Sequence, residues 1–309
     1  MSLTTRLALK AMEKIAPLRL AEKWDNVGLL LESPVPRQNA NRILLTIDLT
    51  PSVLTEALAH PSTSLIIAYH PPIFKPLSAL TLSAPLPGAL LKLAAAGVSV
   101  YSPHTALDSV WGGINDWLAR GVGGGGGGQS LGGDDTTSVS ILGETKGDEG
   151  GVGRLVVLPR AIPIEELAER IKAHLGIPYV DVAKPMTQNP VRTVAICAGS
   201  GGSVVGGVDA DVYFTGEMSH HEVLAAVAAG RYVVLCGHTN TERGYLPILA
   251  STLRSTLAEF AKQGACTTPS TFCFYFRSFF FFFFFAERDE DVDVDVVVSQ
   301  TDKHPLQRM

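Results

Sequence analysis

Five apolar stretches of strand length each run into acidic or histidine residues. They read RILLTIDLT, SLIIAYHPP, VSVYSPHTALD, DVYFTGE and YVVLCGHTNTE. Uninterrupted runs of Val, Ile and Leu are typical of strands that are buried on both faces. Segments of helical character such as SVLTEALAH, PGALLKLAAAG and HEVLAAVAAG lie between these runs. The pattern therefore predicts an α/β fold with largely parallel or mixed sheets.

The polar residues that end these runs are the first candidates for a functional site. In open α/β sheets, ligands bind at the carboxyl ends of the strands, so we expect these residues to face one cleft. They are Asp48, His70, His104, Asp108, Glu217, His238 and Glu242.

The same pattern divides the chain into segments. Residues 1–120 form a first α/β segment and residues 152–262 a second one. Between them, residues 121–151 contain six consecutive glycines and little apolar content, which is typical of a flexible loop. Residues 263–295 are rich in phenylalanine, and residues 296–309 are expected to form a C-terminal strand or tail.

A run of seven phenylalanines, Phe279 to Phe285, interrupts this organisation. Arg277, Ser278 and the shortness of the run argue against a membrane span, which needs about 20 apolar residues. A translated pyrimidine tract before a splice acceptor would encode such a homopolymer. We therefore hypothesise that the segment is a retained intron in the gene model.

Charge and cysteine content narrow the class of protein. The net charge of -5 and the pI of about 5.9 provide no basic face for a phosphate backbone, so nucleic acid is not expected as a partner. Cys197 and Cys236 lie inside apolar runs and none of the four cysteines forms a Cys-x-x-Cys motif, which argues against disulfides and a thiolate zinc site and fits a reducing, cytoplasmic location. The N-terminal segment is amphipathic and contains Glu13 and Glu22, so we expect a first helix and not a cleaved leader, with no membrane association.

Four of the strand-end residues have the chemistry of metal ligands: His70, Asp108, His238 and Glu242. Imidazoles and carboxylates bind divalent zinc, iron or manganese. His238 and Glu242 are four residues apart, so they would share a face on the first turn of a helix. Any one of these histidines alone would more often satisfy a loop carbonyl, but the four together at strand ends favour a metal site.

Three further features leave alternatives open. His104 is a further ligand, a residue that orients a ligand, or a proton carrier, and the last two roles are favoured. Glu217 and His221 in TGEMSHHE are either functional, with Glu217 as a second candidate proton carrier, or solvated residues of a first helical turn. The glycine-rich AGSGGSVVGG is either a tight strand-to-helix turn or an anion contact, because it matches no complete phosphate-binding motif.

The chain resembles the NGG-interacting factor three family, also labelled GTP cyclohydrolase I type-two homologues. The motifs that carry the resemblance are LAEKWDNVGLL, TIDLT, YHPPIFKPL, SPHTALD, GGINDWLA, DVYFTGEMSHHE and GHTNTERGYL. The match runs from about Ala16 to about Phe260 and resumes at VVVSQTDKHPLQ. The stretch from Gln263 to about Asp295 has no counterpart in the family pattern.

The resemblance implies two interlocked α/β units with a pair of divalent metals in the cleft between them, assembled as a toroidal hexamer. The ligands of the family fall on His70, Asp108, His238 and Glu242, with Glu242 as the bridge. This chain has Tyr69 where many bacterial members have a histidine, and a phenol of pKa about 10 is a poor ligand at neutral pH. We therefore expect one or two ions of zinc, iron, manganese or magnesium per chain.

Two functions fit these expectations. The first is a divalent-metal-dependent hydrolase of a small, nucleotide-like substrate, in which His104 or Glu217 carries a proton. The second is a non-enzymatic protein that binds a protein partner, such as a transcription-associated regulator, in which the metal only joins the two units. Open coordination positions favour the hydrolase, because structural metal sites are usually closed. The cyclohydrolase label does not specify a substrate.

Overall fold

Two mixed β-sheets form the framework of the protein. The structure is a computed structural model that describes residues 1–124, 137–265 and 293–306. The strands of the first sheet, in their order across it, are Gly28–Leu31 (β1), Ser99–Ser102 (β4), Thr63–Ala68 (β3), Arg42–Thr46 (β2) and Asp295–Val298 (β11). Strands β4, β3, β2 and β11 are parallel to one another, and β1 is antiparallel to β4.

The second sheet has a parallel centre and antiparallel flanks. Its strands, in order, are Ser138–Leu142 (β5), Gly153–Ile162 (β6), Val191–Cys197 (β8), Val212–Thr215 (β9), Tyr232–Leu235 (β10) and Asp181–Ala183 (β7). Strands β8, β9 and β10 are parallel, whereas β5, β6 and β7 make antiparallel pairs. The predicted α/β fold with mixed sheets is confirmed.

Helices connect most of these strands. They are Leu3–Ile15 (α1), Pro51–Ala59 (α2), Pro85–Ala95 (α3), Thr105–Ser109 (α4), Ile114–Val122 (α5), Ile164–Leu175 (α6), Gly202–Val205 (α7), His220–Ala228 (α8) and Leu246–Ala265 (α9). The helix ends carry residue types that are typical of helix caps. The side chain of Thr50 caps α2, with Pro51 as its first residue, and α6 ends at Gly176 with a φ of +66°.

Both sheets contribute to one cluster of buried apolar side chains. Ile43 and Leu65 come from the first sheet, Val194 and Phe214 from the second, and Leu253 from α9, and each is at most 1% exposed. Burial of each such side chain contributes about 1.5–3 kcal/mol, so this shared core stabilises the packing of the two sheets on each other. The chain also interlocks them, because β11 joins the first sheet after the second has been formed.

A buried ion pair joins the second sheet to helix α5. Arg154 in β6 is fully buried, and its Nε and Nη2 atoms donate to the carboxylate of Asp116 in α5, both at 2.8 Å. Its guanidinium also donates to the carbonyl of Val110 and lies 4.4 Å from the ring centre of Trp111. Arg154 thus fixes the corner between α4 and α5, which follows the strand end that carries His104.

The segment predicted as a flexible loop, 121–151, differs from that expectation. Residues 138–142 form strand β5, which pairs antiparallel with β6, and α5 extends to Val122. The apolar stretch SVSIL is short and its neighbours are polar, so the sequence did not predict an edge strand next to the glycine run. The glycine run at 125–136 and the phenylalanine run lie outside the described residues. In the described parts of the chain, no helix has both the length and the apolar character needed to cross a membrane.

Candidate metal centre

A cavity of about 540 Å³ opens where strand ends of the two sheets meet. His70 enters it after β3 and His104 after β4, both from the first sheet. Ala198 enters it after β8 and His238 after β10, both from the second sheet. The carboxyl ends of parallel strands from both sheets therefore line one cleft, as the strand-end pattern predicted.

Three of the four predicted ligands come together at this cavity. One ligand atom each from His70, His238 and Glu242 lies within 4.8 Å of the others. Nε2 of His70 is 3.5 Å from Oε2 of Glu242, and Nε2 of His238 is 3.3 Å from Oε1. Two imidazoles thus face one carboxylate that is 1% exposed.

The local backbone of His238 and Glu242 differs from the predicted helix. His238–Thr241 form a 3-10 turn, Glu242 leaves helical geometry at φ -125°, and α9 begins only at Leu246. The prediction of an α-helical first turn was wrong, but the shared face was right. The change of backbone direction at Glu242 nevertheless leaves its Oε1 3.3 Å from Nε2 of His238.

Each of the two histidines has a second carboxylate behind it. Nδ1 of His70 lies 2.9 Å from Oδ1 of Asp48, and Nδ1 of His238 lies 3.1 Å from Oε2 of Glu217. Such pairs fix the orientation and tautomer of a metal-binding imidazole and leave Nε2 for the metal. The structure thus places Glu217, a predicted proton carrier, against the far side of His238.

The electrostatics of the three residues fit a cation. Burial raises the pKa of Glu242, but its contacts with His238 and His70 outweigh this and lower it. Burial lowers the pKa of His70, but its contacts with Asp48 and Glu242 raise it to about 10. The contact with Glu242 raises the pKa of His238 to about 9. The buried carboxylate and the two imidazoles therefore favour one another's charged forms.

Two further observations support the fit of an ion. Oε2 of Glu242 is buried and has no hydrogen-bond partner, which leaves a lone pair for a ligand. The glycine loop after β8 approaches the same atoms, since a Cβ on Gly199 would lie 2.7 Å from Oε1 of Glu242 and 3.0 Å from Nε2 of His238. Gly199 has a φ of +63°, which favours glycine. This loop is a strand-to-helix turn into α7, one of the two predicted alternatives.

Asp108, the fourth predicted ligand, lines the cavity outside this group of three atoms. Its Oδ1 accepts a hydrogen bond of 2.5 Å from the hydroxyl of Tyr69. Burial raises the pKa of Asp108 to about 6, and burial together with the charges of Asp108 and Glu242 raises the pKa of Tyr69 well above its usual value. A neutral phenol therefore holds this carboxylate, and the ligand role of Asp108 stays a prediction.

His104 lies beside the three-residue group. Its ring centre is 5.4 Å from that of His70, and its Nδ1 lies 2.8 Å from Oδ1 of Asp25. The other oxygen of Asp25 accepts from the backbone N–H of Thr105 at 3.1 Å. His104 has a φ of +32°, a conformation that a residue with a side chain rarely adopts. Strained backbone of this kind is found at functional sites, where the surrounding contacts enforce it.

Sequence reasoning missed three residues of the site. Asp25 is the carboxylate behind His104, and Trp24 and Phe74 stand at the mouth of the cavity with 62% and 50% of their surface exposed. The rings of Trp24 and Phe74 are 6.0 Å apart, and each makes an edge contact with His104. The available signal was their place in the motifs LAEKWDNVGLL and YHPPIFKPL.

Fold and site together define an α/β protein with a two-histidine, one-carboxylate centre between two mixed sheets. The sequence model of Duf34/NIF3 (NGG1p interacting factor 3) matches residues 3–269. The chain belongs to this family. It is 50% identical over 239 residues to the NIF3 homolog of Schizosaccharomyces pombe, covering 77% of this chain and 84% of the relative. It is 41% identical over 253 residues to NGG1-interacting factor 3 of Saccharomyces cerevisiae, covering 77% and 86%.

Solved structures share the fold. A Bacillus cereus protein related to NIF3 superposes with a TM-score of 0.69 at 19% identity, covering 98% of each chain. Reduced HcgD from Methanocaldococcus jannaschii superposes with a TM-score of 0.64 at 24% identity, covering 81% of this chain and 93% of that one. At these identities the likeness extends to the fold alone.

Proposed function

We propose that this protein is a divalent-metal-dependent hydrolase that acts on a small substrate in the cavity between its two sheets. One observation carries the proposal: two imidazoles and a buried carboxylate converge within 4.8 Å at the floor of an open cavity of about 540 Å³. A site that only joined two units would be closed by a fourth protein ligand. Here three donors face a space large enough for a small molecule.

His70, His238 and Glu242 would hold the ion. Two imidazoles and one carboxylate suit zinc, iron or manganese better than magnesium, which prefers oxygen ligands. When bound, the ion would supply a Lewis acid that polarises the substrate and acidifies water. Asp48 and Glu217 keep the two imidazoles in the orientation that the ion needs, through their contacts of 2.9 and 3.1 Å.

His104 is the residue that we assign to proton transfer. Nδ1 of His104 is paired with Oδ1 of Asp25 at 2.8 Å. Nε2 of the same ring is therefore left to face the substrate in the cavity. A positioned imidazole can take a proton from water and return it to a leaving group. Glu217 lies outside the cavity lining and contacts His238, so we assign it to orientation and keep its proton-carrier role as the second choice.

The experiment compares the full chain with Glu242→Gln and with Glu259→Gln as a matched control far from the cavity. Each protein is loaded with zinc or manganese, assayed for bound metal, and screened against phosphoesters and cyclic amidines. We expect Glu242→Gln to lose the metal and to lower turnover by about 100-fold or more, since it removes a ligand of the reacting centre. Glu259 makes an exposed ion pair with Lys14, so its variant should behave as the unaltered protein.

Two outcomes would contradict the proposal. Full metal content in Glu242→Gln would refute the ligand assignment. A metal-loaded protein with no activity on either substrate class would shift weight to the alternative, a partner-binding regulator with a structural ion. The homo-oligomeric assembly expected from the family resemblance stays a prediction, and light scattering of the full chain measures it directly.

A further inference from the structure

Asp108 shares the cavity with His70, His238 and Glu242 but stands apart from them as a donor. Only the three others bring ligand atoms within 4.8 Å of one another. Within residues 1–124, 137–265 and 293–306, no second set of three His, Cys, Asp or Glu side chains meets that distance. Paired catalytic ions lie about 3.5–4 Å apart and share ligands, so a second ion would need such a set.

Tyr69 accounts for the position of Asp108. Its hydroxyl donates to Oδ1 of Asp108 at 2.5 Å, and the two residues are 3% and 7% exposed. The backbone of Tyr69 is fixed on both sides: its N–H donates to the carbonyl of Thr46 at 2.9 Å, and its carbonyl accepts from the hydroxyl of Ser102 at 2.8 Å. The phenol cannot swing away without leaving a buried carboxylate oxygen unpaired, which is costly.

His104 does not join the donors. Asp25 holds its Nδ1 at 2.8 Å and the carbonyl of Tyr69 holds its backbone N–H at 3.2 Å, and in this position the ring nitrogens belong to no set of three donors within 4.8 Å of one another in the described structure. The ring therefore keeps a fixed place next to His70, outside the group of three donors. Around Asp108, the only group within hydrogen-bond reach of Oδ1 in the described structure is a phenol, which is not among the usual ligands of zinc, manganese or magnesium.

We propose that the centre holds one divalent ion per chain, bound by His70, His238 and Glu242, and that Tyr69 sets this number because it places a phenol beside Asp108, where a second ion would need a further ligand atom. The inference rests on the proposed function, because it assumes that an ion binds the three residues. An imidazole in place of the phenol would add a ligand atom beside Asp108 and release its Oδ1. The same backbone would then present the donors for a second ion.

The test is the number of ions per chain. The full chain, Tyr69→Phe and Tyr69→His are saturated with Mn²⁺, freed of unbound metal and analysed by elemental analysis and electron paramagnetic resonance. We expect one ion in the unaltered protein, with the spectrum of an isolated Mn²⁺. Tyr69→Phe removes the hydroxyl but adds no ligand, so it should also hold one. Tyr69→His should hold two ions with a spin-coupled spectrum.

Each count decides something. Two ions in the unaltered protein or in Tyr69→Phe would overturn the inference while leaving the proposed hydrolase intact. One ion in a folded Tyr69→His would overturn the role of Tyr69. No ion in the unaltered protein would refute the metal centre, and the inference would fall with it. Should Tyr69→His not fold, the counts of the other two proteins decide.

Discussion

Arg243 and the buried Asp302 form an ion pair that joins the two sides of the candidate metal centre. Oδ1 of Asp302 accepts from Nη2 of Arg243 at 2.9 Å, and its Oδ2 accepts from the backbone N–H of Ile47 at 2.8 Å. Arg243 directly follows Glu242, and Ile47 directly precedes Asp48, the carboxylate behind His70. Asp302 thus contacts both the segment that carries Glu242 and the segment that carries Asp48.

We predict that Asp302→Asn weakens metal binding about 10–100-fold without removing any ligand, the range seen when supporting residues of metal sites are changed. The amide keeps the shape but loses the charge that holds Arg243. Competition with a chromophoric chelator measures the affinity. Glu56→Gln is the matched control, because Glu56 anchors the same segment through Ser299 and Thr301 but does not reach the centre. An equal loss in both variants would contradict a specific role for Asp302.

Glu56 itself predicts a pH dependence of stability. Burial raises its pKa, but hydrogen bonds from Ser299, Gln300 and Thr301 outweigh this and lower it from 4.5. The folded state therefore binds this proton less tightly than the unfolded chain, so the stabilisation is present above pH 4.5 and is lost as the pH falls through the folded pKa. After solvent screening it is worth about 0.5–1 kcal/mol.

Urea unfolding of the unaltered protein and of Glu56→Gln at pH 7 and at about pH 3 measures this term. The difference in the free energy of unfolding should be largest at pH 7 and should shrink towards the lower pH. A difference that grows on acidification would have the wrong sign and would exclude this origin.

The pair of Arg154 and Asp116 predicts a large loss of stability. Asp116→Ala would leave a fully buried guanidinium without its counter-charge, which costs about 3–5 kcal/mol. The urea midpoint should fall accordingly. Glu165→Ala, which breaks the exposed pair with Lys184, is the comparison and should leave the midpoint unchanged. A small effect of Asp116→Ala would mean that water or the neighbouring carbonyls satisfy Arg154.

His104 combines a strained backbone with a role in activity. Its φ of +32° and ψ of -119° suit glycine, and both His104→Gly and His104→Ala lose the contact with Asp25, so His104→Gly should be the more stable of the two by about 1–3 kcal/mol. The same change removes the imidazole, so turnover should fall about 100-fold or more while the metal content stays the same. His104→Ala keeps the strain, so it should lose the same activity and melt at a lower temperature than His104→Gly. Recovery of activity with added imidazole would support proton transfer; loss of the metal would argue for a ligand role instead.

The phenylalanine run predicts a property of the transcript. If Phe279 to Phe285 come from a retained intron, the mature message should lack the codons of this run. Sequencing of cDNA across the junction measures this directly. A spliced message that still encodes all seven phenylalanines would refute the hypothesis.

The strand-end pattern correctly predicted the residues whose positions depend only on the strand that they follow. His70 and His238 follow parallel strands of different sheets, and the carboxyl ends of such strands meet. It failed where position depends on contacts between distant residues. Asp25 and His104 are 79 residues apart in the sequence, and no hydrophobic periodicity predicts their contact. The bond between Tyr69 and Asp108 likewise depends on packing that only the folded chain fixes.

The order of strands along the chain has a consequence for biosynthesis. Strand β11 covers one side of β2, yet it is made only after every strand of the second sheet. During translation, β2 therefore presents an unpaired edge, the kind of surface that joins with strands of other molecules. Until residues 295–298 emerge from the ribosome and pair with β2, only chaperones or rapid completion of folding can protect this edge from aggregation.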